Sequence, residues 1–430
     1  MRRQHSPQSV AAPHQPRRHR PAYQIVLFVG LLLLLGLVVM YALGPQRANV
    51  MNHAYGTNYG DMFFFNKQLI SVAVSVAAFA ACAIIPYRWF TDRLPRQLFI
   101  AGVVLSLLLV VAGAVLHLSI ARETNGAYRW FYLGGLGSFQ PSELLKFGAL
   151  VFVAGFLGQR AAQGKINDIQ ETLVPLGVAM VTALGVVVVL QKDLGTGISL
   201  VAIVLAILVA SGMKWAIIGK ITGALAIGAV LLTISSPHRV ERVMTFLKSD
   251  SNHSQSADDN DYHIRQAYIA IGSGGLMGLG IGKSVQATGY LPEAINDSIF
   301  AVMGETFGFV GLVVILALFT ALLLSLLRVA ARLPDMRLRL VAAGVFGWVG
   351  SHVVMNVAAM TGVFPLTGIP LPLLSYGGTS MLFIAAALGL VFQLSAYTTH
   401  QPITEEAGDG KNLGSRRRLG RTRYAGRGSF

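Results

Sequence analysis

The chain has 430 residues, of which 54% are hydrophobic and only 12% charged, against about 25% charged in a soluble domain. With a mean hydropathy of +0.60, that composition excludes an ordinary soluble fold. A formal net charge of +15 would suit nucleic acid, but most of the excess lies in tails and short loops beside apolar blocks, where positive charge sets membrane topology. Nucleic acid is therefore not an expected partner. Cys82 is the only cysteine and lies in an apolar block, which rules out an intrachain disulfide or a cysteine metal cluster.

In chain order, residues 1–22 are rich in Pro and Arg without apolar periodicity, and are expected to form a disordered basic tail. They resemble a signal-peptide n-region, but the following stretch Tyr23 to Gly44 is almost wholly apolar and lacks an A-x-A site, so it reads as a retained first span. Further spans are predicted at Leu69 to Ile85, Leu98 to Leu118, Leu144 to Leu157, Leu173 to Leu190, Leu194 to Gly212, Trp215 to Ile234, Ile299 to Leu327, Leu340 to Phe364 and Met381 to Tyr397. The prediction is an all-α, polytopic membrane domain of about ten transmembrane helices over residues 23–398, followed by a second disordered basic tail at 399–430.

Alternate connections carry Arg88, Arg93 and Arg96, then Arg160 and Lys165, then Lys214, then Arg328, Arg332, Arg337 and Arg339. Both tails fall on that side, so both termini are expected in the cytoplasm. The largest outside connection lies between helices 7 and 8. Its polar half, SDSNHSQSADDNDYHIRQ, reads as disordered, and its glycine-rich half, IGSGGLMGLGIGKS, as a segment packed on or re-entering the membrane.

Ionisable groups at membrane depth cost about 2.5–3.5 kcal/mol each on insertion scales and need a partner or a function. They cluster on the outer side: Arg129, Glu143, Lys146, Lys192, Asp193, Glu293, Asp297 and Glu305. Glu143 and Lys146, three apart on a helix opened by Pro141, share a face and can neutralise one another; the equal alternative is that Lys146 also faces an anionic substrate. Glu293 and Asp297 are four apart, so a helix beginning near Pro292 would point both carboxylates the same way and raise their proton affinity. The alternative is that both cap that helix. GLGIGKS is not a phosphate-binding loop, because Met277 stands where such a loop needs glycine. The acidic run at Asp258 to Asp261 reads as solvated charge, and His352, without ligand spacing, as a buried polar contact.

The ordered set Arg129-Trp130, Gln140-Pro141-Ser142-Glu143 with Lys146, Asp193-Leu194-Gly195-Thr196, Tyr290-Leu291-Pro292-Glu293-Ala294 and Pro372-Leu373-Leu374-Ser375-Tyr376-Gly377-Gly378 resembles the SEDS family of bacterial cell-wall polymerases, from about Tyr23 to Tyr397. GLGIGKSVQ ahead of YLPEA is more like the family's division branch, FtsW, than its elongation branch, RodA. The resemblance implies a glycosyltransferase that joins Lipid II into glycan strands at the outer face of the cytoplasmic membrane, inverting the anomeric centre, from a donor strand on undecaprenyl diphosphate. It also implies a class B penicillin-binding protein and other division proteins as partners, and a place at the septum. Asp297 aligns with the family's essential carboxylate, the expected general base. Arg129, Gln140, Glu143, Lys146, Lys192, Asp193, Lys283, Glu293 and Ser375 are the expected substrate-binding residues, with the four basic ones available for the diphosphate. No cofactor is expected, and a divalent cation is admissible. The chain departs from the family pattern at Ile295, Asn296 and Ser298 around Asp297, at Lys192 before Asp193, and at Thr306 after Glu305. Rival readings are a flippase or transporter of lipid-linked precursor, and a division scaffold acting through its tails.

Overall fold

The computed structural model describes residues 20–124, 126–134, 137–234, 240 and 259–398. Both tails and the start of the long loop lie outside these residues, as do the side chains of the acidic run. The helices are α1 (Tyr23–Tyr55), α2 (Phe63–Ile84), α3 (Pro95–Ala114), α4 (Pro141–Ala162), α5 (Val174–Leu184), α6 (Leu194–Ala210), α7 (Trp215–Ile234), α8 (Asp259–Ser273), α9 (Ile299–Arg332), α10 (Met336–Met360) and α11 (Thr379–Leu394). Wider π-helical turns at Ile169–Leu173 and Gly185–Leu190 flank α5 and lengthen it to a span. Among the described residues nine helical segments are long and apolar enough to cross a bilayer, and α6, with 17 residues, is a shorter apolar helix. All ten expected spans are therefore helices, and the chain is a multi-pass membrane protein.

The core is built around α4, whose Leu145, Leu150, Val153 and Leu157 are wholly buried. Glycine permits this packing: a Cβ at Gly102 of α3 would lie 2.5 Å from the Leu145 Cα. At the arginine-rich end, Glu171 bridges Arg160 (3.1 Å) and Lys165 (2.6 Å), and Arg337 reaches Asp92 at 2.9 Å. The opposite end carries the loops that bear the motif residues.

Four features differ from the sequence expectation. First, α1 runs to Tyr55 rather than Gly44, through Pro45, about 50 Å in all. Its extension holds up the outer loop, with Gln46 donating to the Gly282 carbonyl at 3.1 Å and Val50 against Gly289. Second, three short antiparallel strands, β1 (Ala121–Thr124), β2 (Ala127–Tyr132) and β3 (Ser138–Phe139), form a small sheet in the order β1-β2-β3 between α3 and α4. Third, the end of the polar stretch expected to be disordered is helical as α8, because Ile264, Ala267 and Ala270 make one buried face against the bundle. Fourth, the helix of the eighth span begins at Ile299, where the span was expected, without the extension back to Pro292 that would stack Glu293 on Asp297.

The glycine-rich segment packs as expected, and its packing explains a break in α9. Gly308 has φ 67° and ψ −169°, a region open essentially only to glycine. Across the break the backbone of the glycine-rich segment replaces the missing helical partners. Leu279 N donates to the Glu305 carbonyl (2.9 Å) and Gly280 N to that of Thr306 (3.0 Å), while Phe309 N and Val310 N donate to Gly275 (2.9 Å) and Leu276 (3.1 Å). A Cβ on Gly308 would lie 2.3 Å from Gly278 N. Gly308→Ala is expected to destabilise the fold by about 1–3 kcal/mol from the backbone conformation alone, read as a lowered melting temperature of the detergent-purified chain.

Candidate active site

The motif residues meet at the loop-bearing end, and most of them hold one another. Asp193 caps α6: its Oδ1 accepts from Thr196 N (3.0 Å) and its Oδ2 from Thr196 Oγ1 (2.8 Å). The same Oδ2 accepts from Gln140 Nε2 at 3.1 Å. Gln140 stands at the start of α4, where Thr379 of α11 is shared between the Gln140 amide (3.4 Å) and the Ser138 carbonyl (3.0 Å). Arg129, on β2, donates to the carbonyls of Gln191 (3.2 Å) and Lys192 (2.7 Å), and Lys192 Nζ donates to the Gly126 carbonyl at 2.9 Å. The two cations thus staple the sheet to the α5–α6 turn. Carbonyls do not cancel their charge, so both still contribute positive potential here.

Asp297 lies on a run of turns from Pro292 to Ser298 rather than on a helix. Glu293 has a positive φ of 49°, is exposed, and accepts from Asn296 through its side chain. The expected helical stacking of Glu293 on Asp297 is therefore absent: the carboxylates are not one helical turn apart, and the chain doubles back between them. The physical reason is hydrogen bonding that competes with the helix. Asn296 N and Ser298 N both donate to the Glu293 carbonyl (2.9 and 3.2 Å), and Ser298 Oγ donates to the Pro292 carbonyl at 2.8 Å. With that hydroxyl proton committed, His263 Nε2 of α8, 2.6 Å from Ser298 Oγ, acts as donor.

Two elements fix where the aspartate sits. Asn356 of α10 donates from one amide group to the backbone carbonyls of Asp297 (2.7 Å) and Ile369 (2.8 Å). Tyr376 N donates to the Ile295 carbonyl at 2.8 Å. The Asp297 carboxylate consequently faces Gly368, whose added Cβ would be 3.9 Å from Oδ2. The next residues of that loop lie against α6, since a Cβ on Gly195 would approach the Thr367 carbonyl at 2.8 Å. Asp297 and the capped start of α6 flank one short loop. Ser375 serves within the loop, its Oγ accepting from Leu371 N at 2.8 Å. Burial, with Tyr59 adding, holds the Tyr376 phenol above its usual pKa, so it stays neutral.

Below this layer is a buried polar cluster. Lys146 Nζ is 2.9 Å from Glu143 Oε1, with 1% and 4% of the two side chains exposed. The ammonium also lies 3.5 Å from His352 Nε2 and 5.2 Å from the Trp348 ring centre. Ser199 Oγ reaches the same nitrogen at 2.9 Å, and Trp348 Nε1 donates to it at 3.2 Å. An indole N–H and an ammonium can only donate, so Nε2 is an acceptor and His352 is neutral with its proton on Nδ1. His352 is thus a buried polar contact, as expected, and it joins Lys146, Ser199 and Trp348 at one ring nitrogen.

Glu305 is the second structural carboxylate. At 1% exposure it accepts from Ser284 Oγ (2.5 Å), Val285 N (2.9 Å) and Gln286 N (3.3 Å), fixing the loop that presents exposed Lys283. Glu305→Ala is expected to cost about 1–3 kcal/mol per donor left without an acceptor. Amide hydrogen exchange at Val285 and Gln286 should then accelerate about tenfold or more, while α4 exchanges as before.

Of the residues singled out in the sequence, Gln140 is bonded to Asp193; Arg129 and Lys192 brace the same turn; Glu143 and Lys146 pair with each other; and Ser375 bonds within its own loop, while Glu293 and Lys283 stand on exposed loop positions. Sequence reading missed Asn356, Thr379 and the His263–Ser298 contact. Asn356 did carry a signal: it is four residues after His352, one helical turn along the same face of an apolar helix. Among the described residues no three His, Cys, Asp or Glu side chains group so as to hold a metal ion.

Comparison with known proteins decides the family. The cell cycle protein family comprising FtsW, RodA and SpoVE matches residues 23–400. The chain belongs to the FtsW/RodA/SpoVE family. An FtsW of Nitrosomonas europaea, named a probable peptidoglycan glycosyltransferase, is 32% identical over 90% of this chain and 96% of its own. Stage V sporulation protein E of Bacillus subtilis is 31% identical over 89% of this chain and 99% of its own. Among solved structures, a chain of a peptidoglycan synthase complex superposes with TM-score 0.66 at 26% identity, covering 87% of this chain and 97% of that one. Thermus thermophilus RodA superposes with TM-score 0.61 at 26% identity, covering 89% and 98%. The FtsW/RodA/SpoVE assignment agrees with the five ordered motifs and covers the whole ten-span domain.

Proposed function

We propose that this chain is a peptidoglycan glycosyltransferase that polymerises Lipid II at the outer face of the cytoplasmic membrane, with Asp297 as general base. The observation that carries the reading is the placement of one carboxylate, Asp297, on a loop clamped by Asn356 and Tyr376, at the end of the bundle where the family motifs converge. The acceptor sugar's 4-hydroxyl gives its proton to the carboxylate as its oxygen bonds to the donor's anomeric carbon. The bond from that carbon to undecaprenyl diphosphate breaks, and the electron pair leaves with the diphosphate. One displacement of this kind inverts the anomeric centre and draws on no nucleotide. Arg129, Lys192 and Lys283 supply positive potential for the leaving diphosphate at this end.

A class B penicillin-binding protein is the proposed partner, in keeping with the likeness to a chain of a peptidoglycan synthase complex. The proposed site of action is the division septum, supported by the recurrence of FtsW among the relatives. Depletion should then block septation rather than round the cells.

One observation favours the flippase reading: α9 is a broken helix, a device that transporters use to bind cargo at mid-membrane. Here, however, the carbonyls of Glu305 and Thr306 and the amides of Phe309 and Val310 are bonded to residues 275–280, so these four groups hold the protein's own loop in the place of cargo. The deciding experiment incubates the purified chain and its transpeptidase partner with Lipid II. Glycan strands on a gel are expected; translocation of Lipid II across vesicles without new glycosidic bonds would overturn the reading.

A further inference from the structure

The arginine-rich end contains a cleft of about 940 Å³ between the start of α3, the second half of α4 and the start of α10. Arg93, Arg96, Gln97 and Gln159 line its mouth, and Phe152 and Phe156 its inner wall. The charges in it are unevenly spent. Asp92 and Asp335 are both taken by Arg337, at 2.9 and 3.4 Å. Arg93 and Arg96 are exposed and have no carboxylate partner among the described residues; Arg93 lies over the Trp89 ring, 5.1 Å from its centre. Three arginines against two aspartates leave the cleft a net charge of +1, presented by Arg93 and Arg96, the two guanidinium groups without a carboxylate partner among the described residues.

Its inner wall continues along α4 and across to α3 through stacked rings. Phe156 stacks on Phe152 (6.2 Å, 15°), and Phe152 stacks on Phe99 (4.9 Å, 16°). Phe99 in turn lines a second cavity of about 470 Å³ between α3 and the α5 segment, with Ile100, Val103, Val178 and Ala179, and with hardly a polar group. A cationic mouth at the surface, an aromatic ladder and an apolar trough running inward match a phosphate headgroup followed by an acyl chain. We propose that this composite groove is a binding site for one anionic glycerophospholipid of the cytoplasmic leaflet. Its phosphate is held by Arg93 and Arg96, and one acyl chain lies in the trough between α3 and α5. A zwitterionic phospholipid fits the same shape but gains nothing net from the two arginines, so the site selects by charge. The site is at the far end of the bundle from Asp297, and its occupancy does not depend on the glycosyltransferase reading.

The test needs no polymerisation. The full chain is reconstituted in phosphatidylcholine vesicles containing increasing amounts of chain-brominated phosphatidylglycerol or, in parallel, chain-brominated phosphatidylcholine. Quenching of Trp89 is read as the difference between wild type and Trp89→Phe. Half-quenching is expected at a several-fold lower fraction of the anionic lipid. That preference should vanish in R93Q/R96Q and survive in R93K/R96K, which keeps both the charge and the topology signal. Ala179→Phe, which fills the trough, should weaken quenching by both lipids. Equal quenching by the two lipids, an undiminished preference in R93Q/R96Q, or no effect of Ala179→Phe would each overturn the proposal. So would relief of quenching by soluble glycerol 3-phosphate, which would make the ligand a free anion. A preference that emerges only after truncation at Thr398 would assign the groove to the chain's own acidic tail segment, and would overturn it too.

Discussion

Asp297→Asn is expected to lower the rate of Lipid II polymerisation by about 10²–10⁴-fold, the usual contribution of a positioned general base, while leaving the melting temperature unchanged. The two expectations are separable because of how the residue is held. Asn356 and Tyr376 grip this segment through the main-chain carbonyls of Asp297 and Ile295, and neither bond involves the carboxylate. The amide is the same size as the acid, and Oδ2 of Asp297 faces Gly368. What the variant loses is the negative charge and, with it, the capacity to accept a proton. Asn356→Ala is the complementary probe, since it keeps the carboxylate but releases the Asp297 and Ile369 carbonyls together. It should reduce the rate while also loosening the loop. A polymerisation gel run beside a thermal melt distinguishes the two, and an Asp297→Asn protein that still builds strands at the wild-type rate would dismiss Asp297 as the base.

The physical reasons that made some features legible in sequence also explain the failures. A bilayer forces backbone groups to be satisfied within each helix, so apolar blocks become helices almost without exception, and the ten spans were readable from length and composition. Helix ends answer to local competitors that composition does not reveal. Ser298 and Asn296 divert the chain into turns before Ile299, and the turn carries a positive φ at Glu293, which glutamate seldom adopts. The extension of α1 through Pro45 is set by contacts with Gly282 and Gly289, more than 230 residues away along the chain. The strands at 121–139 are too short, two to six residues, to produce a pattern against the background of helices.

The site divides in the same way. Residue types with an obvious energetic need for partners, Glu143, Lys146 and Asp193, were found because a charge at membrane depth is conspicuous. Their actual partners were not. His352 is 206 residues from Lys146 and 153 from Ser199, so no spacing along the chain displays the contact. Arg129 and Lys192 were read as waiting for phosphate, whereas the fold employs both on backbone carbonyls as well. A sequence displays that a charge needs an answer; the topology decides what supplies it.

The Glu143–Lys146 pair gives the largest expected effect on stability. Lys146→Met leaves a carboxylate at 3% exposure whose Oε2 already has no hydrogen-bond partner among the described residues. Removing one member of a buried ion pair typically costs about 3–5 kcal/mol, because the survivor is charged, dry and alone. Glu143→Gln should cost less. The ammonium it strands keeps the His352 ring nitrogen at 3.5 Å and the Trp348 face at 5.2 Å, and a desolvated cation–π contact is worth about 2 kcal/mol. Melting temperatures should therefore fall in the order wild type, Glu143→Gln, Lys146→Met. The double variant E143L/K146M removes both charges, and buried pairs exchanged for hydrophobic residues of similar volume are often neutral in stability. It should melt near wild type, and its polymerisation gel then decides the role of the lysine. A stable but inactive double variant beside an active Glu143→Gln means that the Lys146 charge acts on substrate, whereas recovery of both stability and strands reduces the pair to a device for closing the start of α4.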